Sequence, residues 1–102
     1  MKWPCKFPVH KYEVPIRETD ELDDDLYGEF KHTEGPVVFV RDGMSGGFRD
    51  TTTAEEIIHV WQWETGMMDI KQLNKYTELI AKSFAPLLVQ LLEEVIDANR
   101  PE

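Results

Sequence analysis

Residues 55–66 hold the side chains best suited to metal or acid–base chemistry, and they read as one helix. At about 100° per residue, Ala54, Ile57, Ile58, Trp61 and Thr65 gather into a stripe suited to a core. His59 and Trp63, four apart, fall together on nearly the opposite side, with Glu56 beside them. A zinc-hydrolase helix has this layout. Its front presents a His, a Glu one residue later that activates water, and a second His four residues after the first. Here the front reads His59-Val60-Trp61-Gln62-Trp63, so both the Glu and the second His are missing. Metal-assisted hydrolysis has no base at this helix.

The elements that must position this helix belong to a small chain. At 102 residues it is expected to be one domain, 1–102. A hydrophobic content of 41% with three Trp, three Tyr and five Phe argues for a packed core. Twenty acidic against eleven basic residues give a net charge of −9, which disfavours direct contact with a nucleic-acid backbone. The lone Cys5 excludes an internal disulfide, fits a reducing cytosol and reads as a passenger thiol. No apolar run is long enough to span a membrane and no signal-peptide core is evident, so a cytoplasmic location is expected.

Strands come first. Residues 1–8, with Pro4 and Pro8, read as an extended lead-in, and residues 9–50 as strands and loops. Val9–Arg17 alternates, with Tyr12, Val14 and Ile16 on one side, and Pro15 favours an edge position. Seven of the twelve residues from Glu18 to Glu29 are acidic, Asp23, Asp24 and Asp25 among them. They read as a solvated loop or as a docking surface for a basic partner; a calcium loop would need a Gly and a closing Glu that are absent. Leu26–His32 and Pro36–Arg41 predict two further strands with a turn at Thr33–Gly35, and the run Val37–Val40 suits the best-covered strand. Asp42–Asp50 is Gly-rich but lacks the Gly-Lys-Ser/Thr ending of a phosphate loop, and reads as a flexible connector.

Helices occupy residues 51–98. Thr52 with Glu55, or Thr53 with Glu56, forms a capping box, and Gly66 is placed to end the first helix. Asp69 then caps a long amphipathic helix running to about Ala98. Pro86 removes the bond to the Lys82 carbonyl and predicts a kink or break, with Ser83 as a new cap. The heptad-like apolar spacing fits a helix covering the sheet, or a coiled coil.

Tyr12-Glu-Val-Pro-Ile-Arg17, Leu22-Asp-Asp-Asp-Leu-Tyr-Gly28, Val37-Val-Phe-Val-Arg-Asp-Gly43, Thr53-Ala-Glu-Glu-Ile-Ile-His59 and Leu79–Leu88 follow one another in a recognisable order. In that order the chain resembles the short, often phage- or prophage-encoded domains of the HExxH metallopeptidase (zincin-like) class. The resemblance implies that His59 sits at the first metal-binding His, Val60 at the catalytic Glu and Trp63 at the second His. It also places Glu78, 19 residues after His59, where related enzymes carry a third ligand. Only His59 and Glu78 then survive as metal ligands, so no cofactor is expected, zinc included.

These observations predict an α+β domain, a three-stranded sheet followed by two or three helices (β-β-β-α-α), with a degenerate and catalytically inactive motif. The function expected is that of a phage-encoded inhibitor or modulator that binds a host protein with a basic surface in the host cytoplasm. Trp63, His59, Glu56, Asp23, Asp24 and Asp25 are the candidate contacts. Trp63 either fills the old cleft, leaving its floor aromatic and dry, or stands exposed as an anchor. Two rival readings remain open: a metal-dependent hydrolase with an unorthodox site around His59, and an acidic nucleic-acid mimic that inhibits a DNA-binding protein.

Overall fold

The computed structural model describes residues 1–98. The chain opens on a hairpin of β1 (Lys6–Val9) and β2 (Tyr12–Thr19), with Phe7 opposite Val14 and Val9 opposite Tyr12. The two-residue link is His10-Lys11, and His10 adopts φ +55°, the left-handed value that tight hairpins use. The two prolines of residues 1–8 suggested an irregular lead-in, but Pro8 is accommodated because β1 is an edge strand.

Next come β3 (Gly28–Lys31) and β4 (Val37–Arg41), an antiparallel pair with Phe30 opposite Val38. β4 also pairs parallel to β2, with Ile16 opposite Val38. The sheet therefore has four strands in the order β1-β2-β4-β3, and it is mixed. The α+β class holds, with one strand more than the sequence pattern predicts. Pro15 is not at an edge. It sits where β2 exchanges its partner, since pairing with β1 ends at Pro15 and pairing with β4 begins at Ile16. A missing N–H is tolerated at that junction. β4 lies inside the sheet, and Val38 and Val40 are fully buried, as their apolar run predicts.

The core forms where Val9, Val14, Val38 and Val40 of the sheet meet Ile57 and Val60 of α1 (Gly46–Glu64). This helix starts within the Gly-rich segment rather than after the threonines. Trp3 Nε1 donates to Asp50 Oδ1 at 3.0 Å, which ties the first turns of α1 to the N-terminal segment. The expected capping box is not formed: Ser45 is the N-cap residue, and Thr53 Oγ1 donates back to the Arg49 carbonyl. At the other end Gly66 adopts φ +80° and its N–H donates to the Trp63 carbonyl, the helix stop its position predicted.

A 3-10 turn (Met67–Asp69) and the one-turn α2 (Lys71–Asn74) lead into α3 (Thr77–Ala98). The single long helix expected from Asp69 is thus divided at Lys75-Tyr76, and α3 runs through Pro86. The break is set by Thr77, whose hydroxyl donates to the Asn74 carbonyl. Ala81 and Ala85 are fully buried while Pro86 is exposed, so small side chains sit on the packed side of α3 and the proline faces out.

Candidate functional site

His59 lies on α1 near the start of α3 and is only 7% exposed. Its Nδ1 is 2.7 Å from Gln62 Oε1, and its Nε2 is 2.8 Å from Glu78 Oε1. Gln62 is fully buried, and its Nε2 donates to the Thr77 carbonyl at 3.0 Å. That bond orients the amide so that its oxygen faces His59. Both ring nitrogens therefore stand against side-chain oxygens of neighbouring residues. Glu78, which the family resemblance placed 19 residues after His59, is brought against it by the fold.

Around this pair opens a cleft of about 730 Å³ between β3, α1 and the start of α3. Asp25, Glu29, Glu55, Glu56 and Glu78 line it, with Lys82 as its one lysine. Gly28 forms part of the inner wall. A Cβ there would lie 2.9 Å from Thr52 Cγ2 and 3.0 Å from Glu56 Cγ, so side chains of α1 pack directly on the β3 backbone.

Crowded carboxylates in a partly dry cleft resist ionisation. Burial raises Glu56 from the ordinary 4.5 to about 7; Glu78, Glu55 and Glu29 add to the rise, and His59 opposes it. Glu55 is also raised, first by burial and then by Glu78, against the pull of Lys82 and His59. The cleft carries more negative charge than its own cations neutralise.

The other predicted residues separate. Asp23, Asp24 and Asp25 are exposed in the loop between β2 and β3, and of the three only Asp25 lines the cleft. The loop is clamped from within. Arg41 Nη2 donates to the carbonyls of Asp23 (2.6 Å) and Leu26, and Arg41 Nε also donates to Leu26 at 2.9 Å. Trp63 packs instead of lining the cleft. Its ring lies 5.1 Å from His32, 5.5 Å from Tyr12 and 5.8 Å from Phe30. Trp63 is absent from the lining of the cleft, which is both acidic and aromatic: Tyr27, Phe30, His32 and Phe48 border it beside the five carboxylates. Trp61, assigned to the core by its stripe, is 46% exposed.

Gln62 and Glu78 occupy both nitrogens of His59, one of which a ligating imidazole must offer as a lone pair. Among the described residues no group of three or more His, Cys, Asp or Glu side chains is arranged to hold a metal ion.

Sequence reasoning missed Gln62, Glu29 and Arg41. Gln62 was detectable as the residue three positions after His59 on one helix face. Glu29 and Arg41 come from strands whose pairing had to be known first. No family model matches the chain, and neither a curated protein nor a solved structure matches it.

Proposed function

We propose that the chain is a non-catalytic protein-binding module, on a degenerate metallopeptidase-like fold, that receives a lysine or arginine side chain of a basic partner in the cleft beside Glu56. The supporting observation is the imbalance of charge in that cleft. Five carboxylates converge there, and Glu56 holds its proton to about pH 7. An incoming cation would relieve the repulsion and allow Glu56 to ionise, which makes binding favourable and selective for positive charge. An arginine has the further advantage of a planar fork that engages two carboxylates at once.

Three features speak against hydrolysis. Val60 is fully buried in the core, Trp63 is packed against three rings, and His59 is held between Gln62 and Glu78. The origin in a phage and the action on a host protein rest on the sequence resemblance alone. The nucleic-acid mimic is the weaker alternative, because the carboxylates converge on one concavity instead of following a line of phosphates.

A short arginine-containing peptide, titrated into the protein and followed by NMR, tests the proposal. The amides of residues 55–59 and 78 should shift, and Glu55→Gln with Glu56→Gln should weaken binding at least several-fold. Unchanged binding in that double variant overturns the cleft as the site. Peptidase activity with one bound zinc per chain, both lost on His59→Ala, overturns the non-catalytic reading.

A further inference from the structure

Two large aromatic side chains stand in solvent at the acidic cleft. Phe48 is 57% and Tyr27 49% exposed, and both line the cleft. Their rings meet edge to face, with centroids 5.0 Å apart and planes at 77°. Phe48 belongs to the first turn of α1 and Tyr27 immediately precedes β3, so two segments distant in sequence converge to hold one aromatic platform. Arg41 steadies it: its guanidinium lies over the Tyr27 ring, 5.5 Å from the centroid, while its Nε donates to the neighbouring Leu26 carbonyl.

Phe48, Thr52, Glu55 and His59 recur three or four residues apart along α1, so they share the face that lines the cleft. At 1.5 Å per residue, the Cα atoms of Phe48 and Glu55 lie about 10 Å apart along the helix. The cleft is thus a trough with two chemistries, aromatic at Tyr27 and Phe48 and acidic at Glu55, Glu56 and Glu78. Together they select the guest. The surplus of carboxylates turns away acidic partners and favours a cation. Exposed rings favour a flat apolar group that can add another edge-to-face contact. A peptide carrying both groups satisfies both ends at once. In an extended chain about 10 Å is three residues, and the polyproline II form, with three residues per turn, brings such positions to one side.

We infer that the cleft recognises an extended peptide segment in which an aromatic residue stands three positions from an arginine. The aromatic ring is seated on Tyr27 and Phe48, and the guanidinium lies among Glu55, Glu56 and Glu78. Recognition of this kind rests on the acidic site proposed above and adds to it an aromatic requirement, a spacing and the residues that read them.

Titration calorimetry with three short peptides tests this. The first carries Phe three positions from Arg, the second has Ala in place of that Phe, and the third has Phe next to Arg. The first should bind about tenfold more tightly than either of the others, the gain expected of one seated ring. Phe48→Ala should remove that advantage, about tenfold, and leave the Ala peptide unaffected, with Tm nearly unchanged because the side chain is exposed. Glu55→Gln with Glu56→Gln should weaken all three peptides. Equal affinity of the first peptide and either of the others, or a Phe48→Ala loss that is the same for all three, overturns the inference and leaves the acidic site standing. Binding indifferent to the double glutamine variant, or no binding of any peptide, overturns both.

Discussion

His59 and Glu56 stand three residues apart on α1, yet they face opposite electrostatic problems. His59 has two side-chain partners, while Glu56 sits among other acids. Glu56 dominates the expected pH response. Its folded pKa, about 7, exceeds the ordinary 4.5 of the unfolded chain, so the native state holds the proton more tightly. Protonation then stabilises the fold. The penalty is absent below about pH 4.5, grows as pH rises and is complete above about 7, where it amounts to at most about 3 kcal/mol. Urea unfolding across that range should show stability falling through this window, and Glu56→Gln should flatten the fall. The two tryptophans differ in the same residue-by-residue way. Trp63→Ala should cost about 3 kcal/mol, because it empties the space between Tyr12, Phe30 and His32. Trp61→Ala, at an exposed position, should cost the isolated chain about 1 kcal/mol or less. Equal losses measured by dilute-solution unfolding would contradict the packing described.

Between elements, the contact of α1 with α3 rests on the chain His59–Gln62–Thr77 and on the small Ala81 and Ala85. Removing the ring leaves a buried amide oxygen without its donor, a loss of about 1–3 kcal/mol. His59→Ala should therefore lower the unfolding free energy by that amount and increase hydrogen exchange at the amides of residues 77–81, with the sheet unaffected. An unchanged stability would mean that the ring does not join the helices. The same contact explains why the long helical pattern is divided where it is. Thr77 is held both by the Asn74 carbonyl and by Gln62, so α3 starts there, and Pro86 is tolerated on the exposed side.

For the molecule as a whole, a charge of −9 is distributed unevenly. Asp23, Asp24 and Asp25 extend the acidic cleft into solvent through a loop that Arg41 clamps to β4. Exposed charges of this kind act over about 8–10 Å before salt screens them, so they govern encounter more than final affinity. Asp23→Asn, Asp24→Asn and Asp25→Asn together should slow association with an arginine-rich peptide and flatten its salt dependence, with little change in Tm. Stopped-flow rates identical to those of the parent chain at every ionic strength would show that the loop is only a solvated turn.

Local chemistry was legible in the sequence wherever a residue's neighbours along the chain decide its role. Period-two and near-3.6 patterns identified an α+β domain, Gly66 as a helix stop, Val38 and Val40 as core, and Ala54 and Ile57 on the inner side of α1. Glu78 was singled out only through the family resemblance, and the fold sets it 2.8 Å from His59. What stands opposite a side chain was decided only by tertiary structure. Trp61 shares its stripe with Ile57, but it borders the open groove against α3 and is half exposed. β1 exists because β2 offers a hairpin partner, and the parallel pairing of β2 with β4 leaves β3 at the edge, where Gly28 and Glu29 help close the cleft. The raised pKa of Glu56 and the two side-chain partners of His59 have the same origin. Periodicity along a chain sets the direction of each side chain, whereas burial, charge environment and hydrogen-bond partners come from segments that only folding brings together.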